Sequence, residues 1–198
     1  MPPDAEVSTP NESLDSDGST LSLWQLIRAD IRGMVVDRGH GKFVFWLSIA
    51  LKLLLYPRIQ TVLLFRFSHA LYRLRLSPFA YWLQSVGLSL SGAEIHPAAR
   101  IGPGLCLMHS SGIVIGDRAL IGRGFICFHG VTVGDSGKEE GQPRIGDYVT
   151  ASAGAKILGP ITIGDGATIG ANAVVLTDVP PRGVAVGIPA RTAKIRTD

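Results

Sequence analysis

Two histidines stand in similar surroundings twenty residues apart. His109 interrupts an apolar run in "GLCLMHSSGIVIG" (104–116), and His129 ends the run "ICFH". A neutral imidazole with a pKa near 6.5 can accept the proton of an attacking hydroxyl at neutral pH, so a histidine here could be a general base. A histidine at a corner of the chain could equally be held by a backbone carbonyl. The residues alone leave both interpretations open.

The elements that must position these histidines follow an unusual period. From Ile95 onward apolar residues recur every six positions, and the second half keeps the period at Ile145, Ala151, Ile157, Ile163, Ile169 and Val175. A period of six is neither that of an amphipathic strand nor that of a helix. It is typical of a β-helix, in which three hexapeptides close one triangular coil of about 18 residues. We therefore predict a mainly β fold, a parallel β-helix of hexapeptide repeats.

The repeat slips by two residues between Leu107 and Ile115. If these two residues bulge from a corner, residues 107–109 lie over residues 127–129 in the next coil. Residues one coil apart stack at about 4.8 Å, the spacing of neighbouring strands. The slip therefore predicts that His109 and His129 are neighbours on one edge of the coil.

The chain divides into four parts. Residues 1–20 carry five acidic residues and no Lys or Arg, which predicts a disordered acidic tail. Residues 21–92 show helical periodicity, and we predict an α-helical segment that covers one end of the coil. The β-helix domain spans 93–190 with a polar loop at 134–144, and 191–198 form a C-terminal tail. Flat sides of such a prism favour a closed homotrimer.

Charge and composition restrict the function classes. Residues 21–92 hold nine Lys or Arg against two Asp, which could contact an anionic membrane peripherally or lie on solvated helix faces. The apolar run 43–55 is shorter than the roughly 20 residues that span a bilayer. Cys106 and Cys127 fit neither a disulfide framework nor zinc-ligand spacing. With no signal peptide and no nucleic-acid motif, we predict a cytoplasmic protein with reduced thiols and no bound metal.

Several ordered motifs resemble one family. "EIHPAARIGPGLCLMHSSGIVIG", "GVTVGDSGKEEG", "SAGAKILGPITIGDGATIGANAVVLTDVP" and "VGIPAR" are similar to the bacterial serine O-acetyltransferases, hexapeptide-repeat acyltransferases of the left-handed β-helix superfamily. The match runs from about 93 to 191. The resemblance implies a left-handed coil and direct acetyl transfer from acetyl-CoA to a hydroxyl without a metal. The expected homotrimer could also pair into a dimer of trimers.

The resemblance also assigns roles to residues. It implies that His109 is the general base and that Glu94, at the acidic position before Ile-His-Pro, fixes its tautomer. His129 either helps to bind the acceptor or stacks in a corner. Backbone amides in a groove between coils would hold acetyl-CoA, and two glycines of the loop would stabilise the thioester oxyanion. The resulting cofactor set is Gly134, Gly137, Ala153, Gly154 and Ala171, with Lys156 and Arg191 near the CoA phosphates.

The acceptor site departs from the family pattern. Met108 stands where the serine enzymes have an aspartate, Gly141 and Gln142 stand where they have an Arg-His pair, and the loop is two residues shorter. Hydrogen bonds to charged groups contribute about 1.5–3 kcal/mol each, so these changes weaken the binding of L-serine. We therefore predict an O-acetyltransferase whose acceptor is a sugar or another non-serine alcohol, bound by Met108, His129 and Gln142. The alternative is L-serine O-acetylation in cysteine biosynthesis.

Two other classes fit less well. Zinc hydro-lyases with hexapeptide coils need three histidine ligands, two of them five residues apart, and no such pair occurs in the sequence. A non-catalytic docking protein of this family would use a C-terminal tail that ends in Ile. This chain ends in "KIRTD".

Overall fold

The computed structural model describes residues 21–34, 55–138 and 140–197. Within these ranges the first part of the chain forms helices α1 (Leu23–Met34), α2 (Pro57–Arg73) and α3 (Ser77–Ser91). The predicted tail at 1–20 and nearly all of the apolar run 43–55 lie outside the described residues. None of the described helices combines the length and apolarity needed to cross a membrane.

The second part of the chain is a coil of short strands. They are β1 (Glu94–Ile95), β2 (Arg100–Ile101), β3 (Cys106–Leu107), β4 (Val114–Ile115), β5 (Leu120–Ile121), β6 (Ile126–Cys127), β7 (Thr132–Gly134), β8 (Arg144–Ile145), β9 (Thr150–Ala151), β10 (Lys156–Leu158), β11 (Thr162–Ile163), β12 (Thr168–Ile169), β13 (Val174–Val175), β14 (Gly183–Gly187) and β15 (Ala190–Ile195).

These strands form the three faces of a prism. The first face is β1-β4-β7-β10-β13, the second β2-β5-β8-β11 and the third β3-β6-β9-β12-β14-β15. All pairs are parallel except β14 with β15. The predicted parallel β-helix is confirmed. Residues 191–195, predicted as part of a tail, instead belong to β15, which folds back on β14.

The hexapeptide period places one aliphatic side chain of each strand inside the prism. Ile115, Val133, Ile157 and Val175 stack in this way on the first face, each at most 1% exposed. The corners leave little room for side chains. A Cβ on Gly102 would lie 2.8 Å from the backbone of Gly122 in the next coil. Small corner residues thus allow the coils to approach to strand spacing.

Two corners contain insertions relative to the regular coil of eighteen residues. The register Leu107↔Cys127 is twenty residues, whereas Ile157↔Val175 is eighteen, so two extra residues lie between β3 and β4. This is the slip that the sequence predicts. A longer excursion at 135–143 joins β7 to β8, where the sequence predicts a loop.

A buried ion pair fastens the helices to the coil. Arg66 of α2 and Asp30 of α1 are 2% and 0% exposed, with Nε 2.7 Å from Oδ2. The Arg66 guanidinium also donates to the carbonyls of Ile101 and Gly102, both at 2.6 Å. Asp30 Oδ1 accepts from the amides of Gly104 and Leu105 at 2.9 and 2.8 Å. Both partners of the buried pair therefore also bond to backbone groups of the first coil, which satisfies polar groups that the pair alone would leave unpaired.

We expect Asp30→Ala to lower the free energy of unfolding by about 3–5 kcal/mol, because it leaves a buried guanidinium and two coil amides without their carboxylate. Urea denaturation measures the change. Arg28→Ala, an exposed substitution on the same helix, is the matched control and should stay within about 0.5 kcal/mol of wild type. A loss below about 1 kcal/mol for Asp30→Ala would contradict a clamping role.

His69 gives the fold a pH dependence. Its Nδ1 lies 2.8 Å from the carbonyl oxygen of Pro97, and burial is the main cause that lowers its pKa below 6.5. As the pH falls, His69 is therefore protonated at a higher pH in the unfolded chain than in the folded protein. The stability that neutral His69 contributes is complete above pH 6.5 and is lost as the pH falls through the lowered pKa of the folded state.

We expect the wild type to lose more stability than His69→Gln between pH 7.5 and pH 5. Urea midpoints at both pH values give the comparison, since other titrating groups contribute to both proteins alike. Parallel pH profiles would show that His69 protonation does not oppose folding.

Candidate active site

The two histidines meet where the third face turns into the first. Their ring centroids are 5.7 Å apart at an interplanar angle of 70°, and both side chains are exposed. Each follows its third-face strand by two residues, because Leu107 pairs with Cys127. The edge predicted from the slip is therefore observed. We call this edge the histidine corner.

Small residues continue the histidine corner along the prism. The register Cys127↔Ala151 and Ala151↔Ile169 places Ala153 and then Ala171 in line with His129. The Gly154 amide donates to the His129 carbonyl at 2.9 Å, and the Asn172 amide donates to the Ala153 carbonyl at 2.8 Å. The three predicted groove residues Ala153, Gly154 and Ala171 thus lie in one column with the histidines. Their short side chains leave the backbone open to a thin extended ligand.

Glu94 opens β1 in the coil next to His109, with its side chain exposed on the first face. Its Oε1 accepts a long hydrogen bond of 3.5 Å from Nε2 of Gln84 on α3. Among the described residues no hydrogen bond joins Glu94 to His109. The carboxylate is in the neighbourhood that the sequence predicts, but the predicted pairing with the imidazole is not made.

Met108 lies beside the candidate base. It is 36% exposed, and Cys106 Sγ lies 3.9 Å from its sulfur atom. Its carbonyl oxygen accepts a hydrogen bond of 3.2 Å from Nη1 of Arg58, in the first turn of α2. The sequence did not point to Arg58, because this residue lies fifty positions before Met108 and outside the hexapeptide repeat.

The loop residues lie at a different corner, where the first face turns into the second. Both ends of the Gln142 side-chain amide are hydrogen-bonded there. Its Oε1 accepts from the Arg118 amide at 3.1 Å, and its Nε2 donates to Asp117 Oδ1 at 2.8 Å. The Gly137 amide donates to Asp135 Oδ1 at 2.6 Å. Within one chain the structure therefore does not bring Gly134, Gly137 or Gln142 to the histidine corner. The predicted common pocket of Gln142 with Met108 and His129 is absent from the described part of a single chain.

The two predicted phosphate-binding cations lie nearer the histidine corner. Lys156 Nζ donates to the Gly130 carbonyl at 2.5 Å and to Thr132 Oγ1 at 3.1 Å, so its ammonium points to the corner just after His129. Arg191 is exposed in β15 and pairs with Val186. That position is at the far end of the column, two strands beyond β12, the strand that precedes Ala171.

The cysteines are poor candidates for chemistry. Cys106 and Cys127 are buried thiols, and burial raises the pKa of each, most strongly for Cys127. A protonated buried thiol is not a nucleophile at neutral pH. In residues 21–34, 55–138 and 140–197 no group of three His, Cys, Asp or Glu side chains is placed to hold a metal ion.

Comparison with known proteins identifies the family. The profile of the family described as Bacterial transferase hexapeptide (six repeats) matches residues 142–177. The serine acetyltransferase of Helicobacter pylori is 46% identical over 142 residues, which cover 71% of this chain and 83% of that protein. The chain belongs to the serine acetyltransferase family. The resemblance seen in its motifs is confirmed, and so is the predicted enzyme class, an acetyltransferase.

Solved serine acetyltransferases share the fold of the protein. The soybean serine acetyltransferase complexed with serine has a TM-score of 0.75 and 38% identity, over 92% of this chain and 80% of that one. The Brucella abortus serine acetyltransferase in complex with coenzyme A has a TM-score of 0.74 and 37% identity, over 85% and 66%. The predicted donor, acetyl-CoA, agrees with the Brucella complex. The expected sugar or other non-serine alcohol finds no support as acceptor in these relatives, which favour the alternative, L-serine.

Proposed function

We propose that the protein transfers the acetyl group of acetyl-CoA to the hydroxyl of L-serine. The observation that carries the proposal is the exposed imidazole of His109, which heads a column of small residues in a chain of the serine acetyltransferase family. The soybean and Brucella relatives support an amino-acid acceptor and a coenzyme A donor respectively.

The chemistry requires one base and an open groove. His109 removes the proton of the serine hydroxyl as its oxygen attacks the thioester carbon. The tetrahedral intermediate then collapses, the carbon–sulfur bond breaks, and the imidazolium returns the proton to the departing CoA sulfur. The products are O-acetylserine and CoA. His129, with its ring centroid 5.7 Å from that of His109, is close enough to contact the acceptor.

Glu94 is the carboxylate proposed to stabilise the imidazolium. Among the described residues its exposed side chain is held by one long contact, to Gln84, so a change of rotamer toward His109 costs little. The pairing would fix the tautomer with the basic nitrogen toward the acceptor.

The acetyl-CoA chain is proposed to follow the histidine corner. Ala153, Gly154 and Ala171 would line its pantetheine arm, and Arg191 at the far end would meet the phosphates. Lys156, whose ammonium reaches the Gly130 carbonyl, would hold the backbone of the corner while it contacts the ligand.

A second copy of the chain would bring the loop residues to the proposed site. The histidine corner and the loop corner are the two ends of the first face. In the predicted homotrimer with that face toward the axis, the loop corner of one copy meets the histidine corner of its neighbour. Gln142 would then border the neighbour's acceptor site, and Gly134 and Gly137 would lie near its thioester.

We expect His109→Ala to reduce serine-dependent release of CoA from acetyl-CoA by about 10²–10⁴-fold, because the attacking hydroxyl loses its base. A thiol-reactive dye follows CoA release. His129→Ala is the matched control from the same edge and should lose much less in kcat. Equal activity of His109→Ala and wild type would exclude His109 as the base, and no serine turnover by wild type that still binds acetyl-CoA would exclude L-serine as acceptor.

We expect Ala171→Leu to raise KM for acetyl-CoA by about 10–100-fold, since added methylenes in a fitted groove cost about 1–3 kcal/mol. KM for L-serine should change little. Thr177→Leu, an exposed substitution in the same coil at a different corner, provides the control. Unchanged affinity for acetyl-CoA in Ala171→Leu would place the pantetheine arm elsewhere.

A further inference from the structure

Arg58 is placed beside the candidate base by a part of the chain that the hexapeptide pattern does not include. It stands in the first turn of α2, is half-buried, and donates from Nη1 to the Met108 carbonyl oxygen at 3.2 Å. That carbonyl belongs to the peptide bond that leads into His109. The guanidinium is therefore one peptide unit away from the backbone of the proposed base.

The position of Arg58 is fixed by the fold. Arg58, Val62 and Arg66 recur every four residues and so share one face of α2. Arg66 is anchored on the first coil by its bonds to Ile101 and Gly102, and Val62 is fully buried. The guanidinium of Arg58 also packs 5.8 Å from the ring centroid of Tyr56. The helix thus delivers this cation to the histidine corner with little freedom.

The charge of Arg58 is not neutralised by the described residues around it. Its polar contact there is one neutral carbonyl, which uses one of five guanidinium N–H donors. Lys156, a second cation near the histidine corner, is hydrogen-bonded to the Gly130 carbonyl and to Thr132. The acidic group in this region, Glu94, contacts Gln84. Arg58 therefore has donors available for an anion that approaches His109.

An amino-acid acceptor brings such an anion. When its hydroxyl lies against His109, its carboxylate is two carbon–carbon bonds beyond the hydroxyl-bearing carbon, which places it about 3–4 Å from the hydroxyl oxygen. A planar guanidinium fork matches a carboxylate with two parallel hydrogen bonds. The neutral loop residue Gln142, tied to Arg118 and Asp117, does not supply this charge.

We propose that Arg58 binds the carboxylate of the acceptor and so selects an amino acid over an uncharged alcohol. This inference rests on the proposed function and names the residue that gives its acceptor site specificity. It accounts for an amino-acid acceptor in a chain whose loop carries Gly141 and Gln142.

The test compares L-serine with serinol, in which a hydroxymethyl group replaces the carboxylate. Wild type should prefer L-serine in kcat/KM. Arg58→Ala should lower kcat/KM for L-serine by about 10–100-fold, chiefly through KM, and leave that for serinol nearly unchanged. Arg58→Lys should recover part of the preference. KM for acetyl-CoA should stay at the wild-type value in both variants.

Arg73→Ala, at the exposed opposite end of α2, is the matched control and should keep the wild-type preference. Equal losses for both acceptors in Arg58→Ala and Arg58→Lys would overturn the proposal, because they would mean that Arg58 only supports the Met108 carbonyl. An unchanged preference in Arg58→Ala would overturn it while leaving serine acetylation standing. Absence of L-serine turnover in wild type that binds acetyl-CoA would overturn both proposals together.

Discussion

The fold depends on the stacking of coils through parallel backbone pairing. Each strand of a face bonds to the equivalent strand of the next coil, and an aliphatic side chain from each coil fills the space inside. A residue's neighbours are therefore fixed by how many residues make one coil. An extra residue inside a strand would move an aliphatic side chain to the surface, so insertions are tolerated at corners. Both insertions in this chain, after Leu107 and at 135–143, are found there.

The proposed chemistry lies at the first of these insertions. The bulge after β3 carries His109 out of the regular coil and exposes its imidazole, while His129 remains in the regular position beneath it. Beyond the histidines the same corner has small side chains and an open backbone. The proposed base and the proposed acetyl-CoA groove thus share one line of stacked residues, which the parallel pairing of the coils keeps aligned.

The helices add contacts that the coil cannot make for itself. The buried pair of Asp30 and Arg66 satisfies backbone groups of the first coil, whose strands are the terminal strands of the three described faces. The same helix carries Arg58 to the Met108 carbonyl. The packing of α2 on the first coil therefore has two consequences. It fastens the end of the prism, and it places a cation beside the histidine corner. The helical segment is therefore part of the proposed site as well as a cap.

The sequence by itself determined the coil, the slip and the edge shared by His109, His129, Ala153 and Ala171, because a solenoid turns sequence spacing directly into spatial neighbours. Tertiary structure decided what the spacing does not encode. It turned Glu94 toward Gln84, separated Gln142 from Met108 by the width of a face, and placed Arg58 beside the proposed base. These outcomes depend on side-chain packing between helices and coils that are far apart in the chain. The hexapeptide repeat carries no information about which of these residues come into contact.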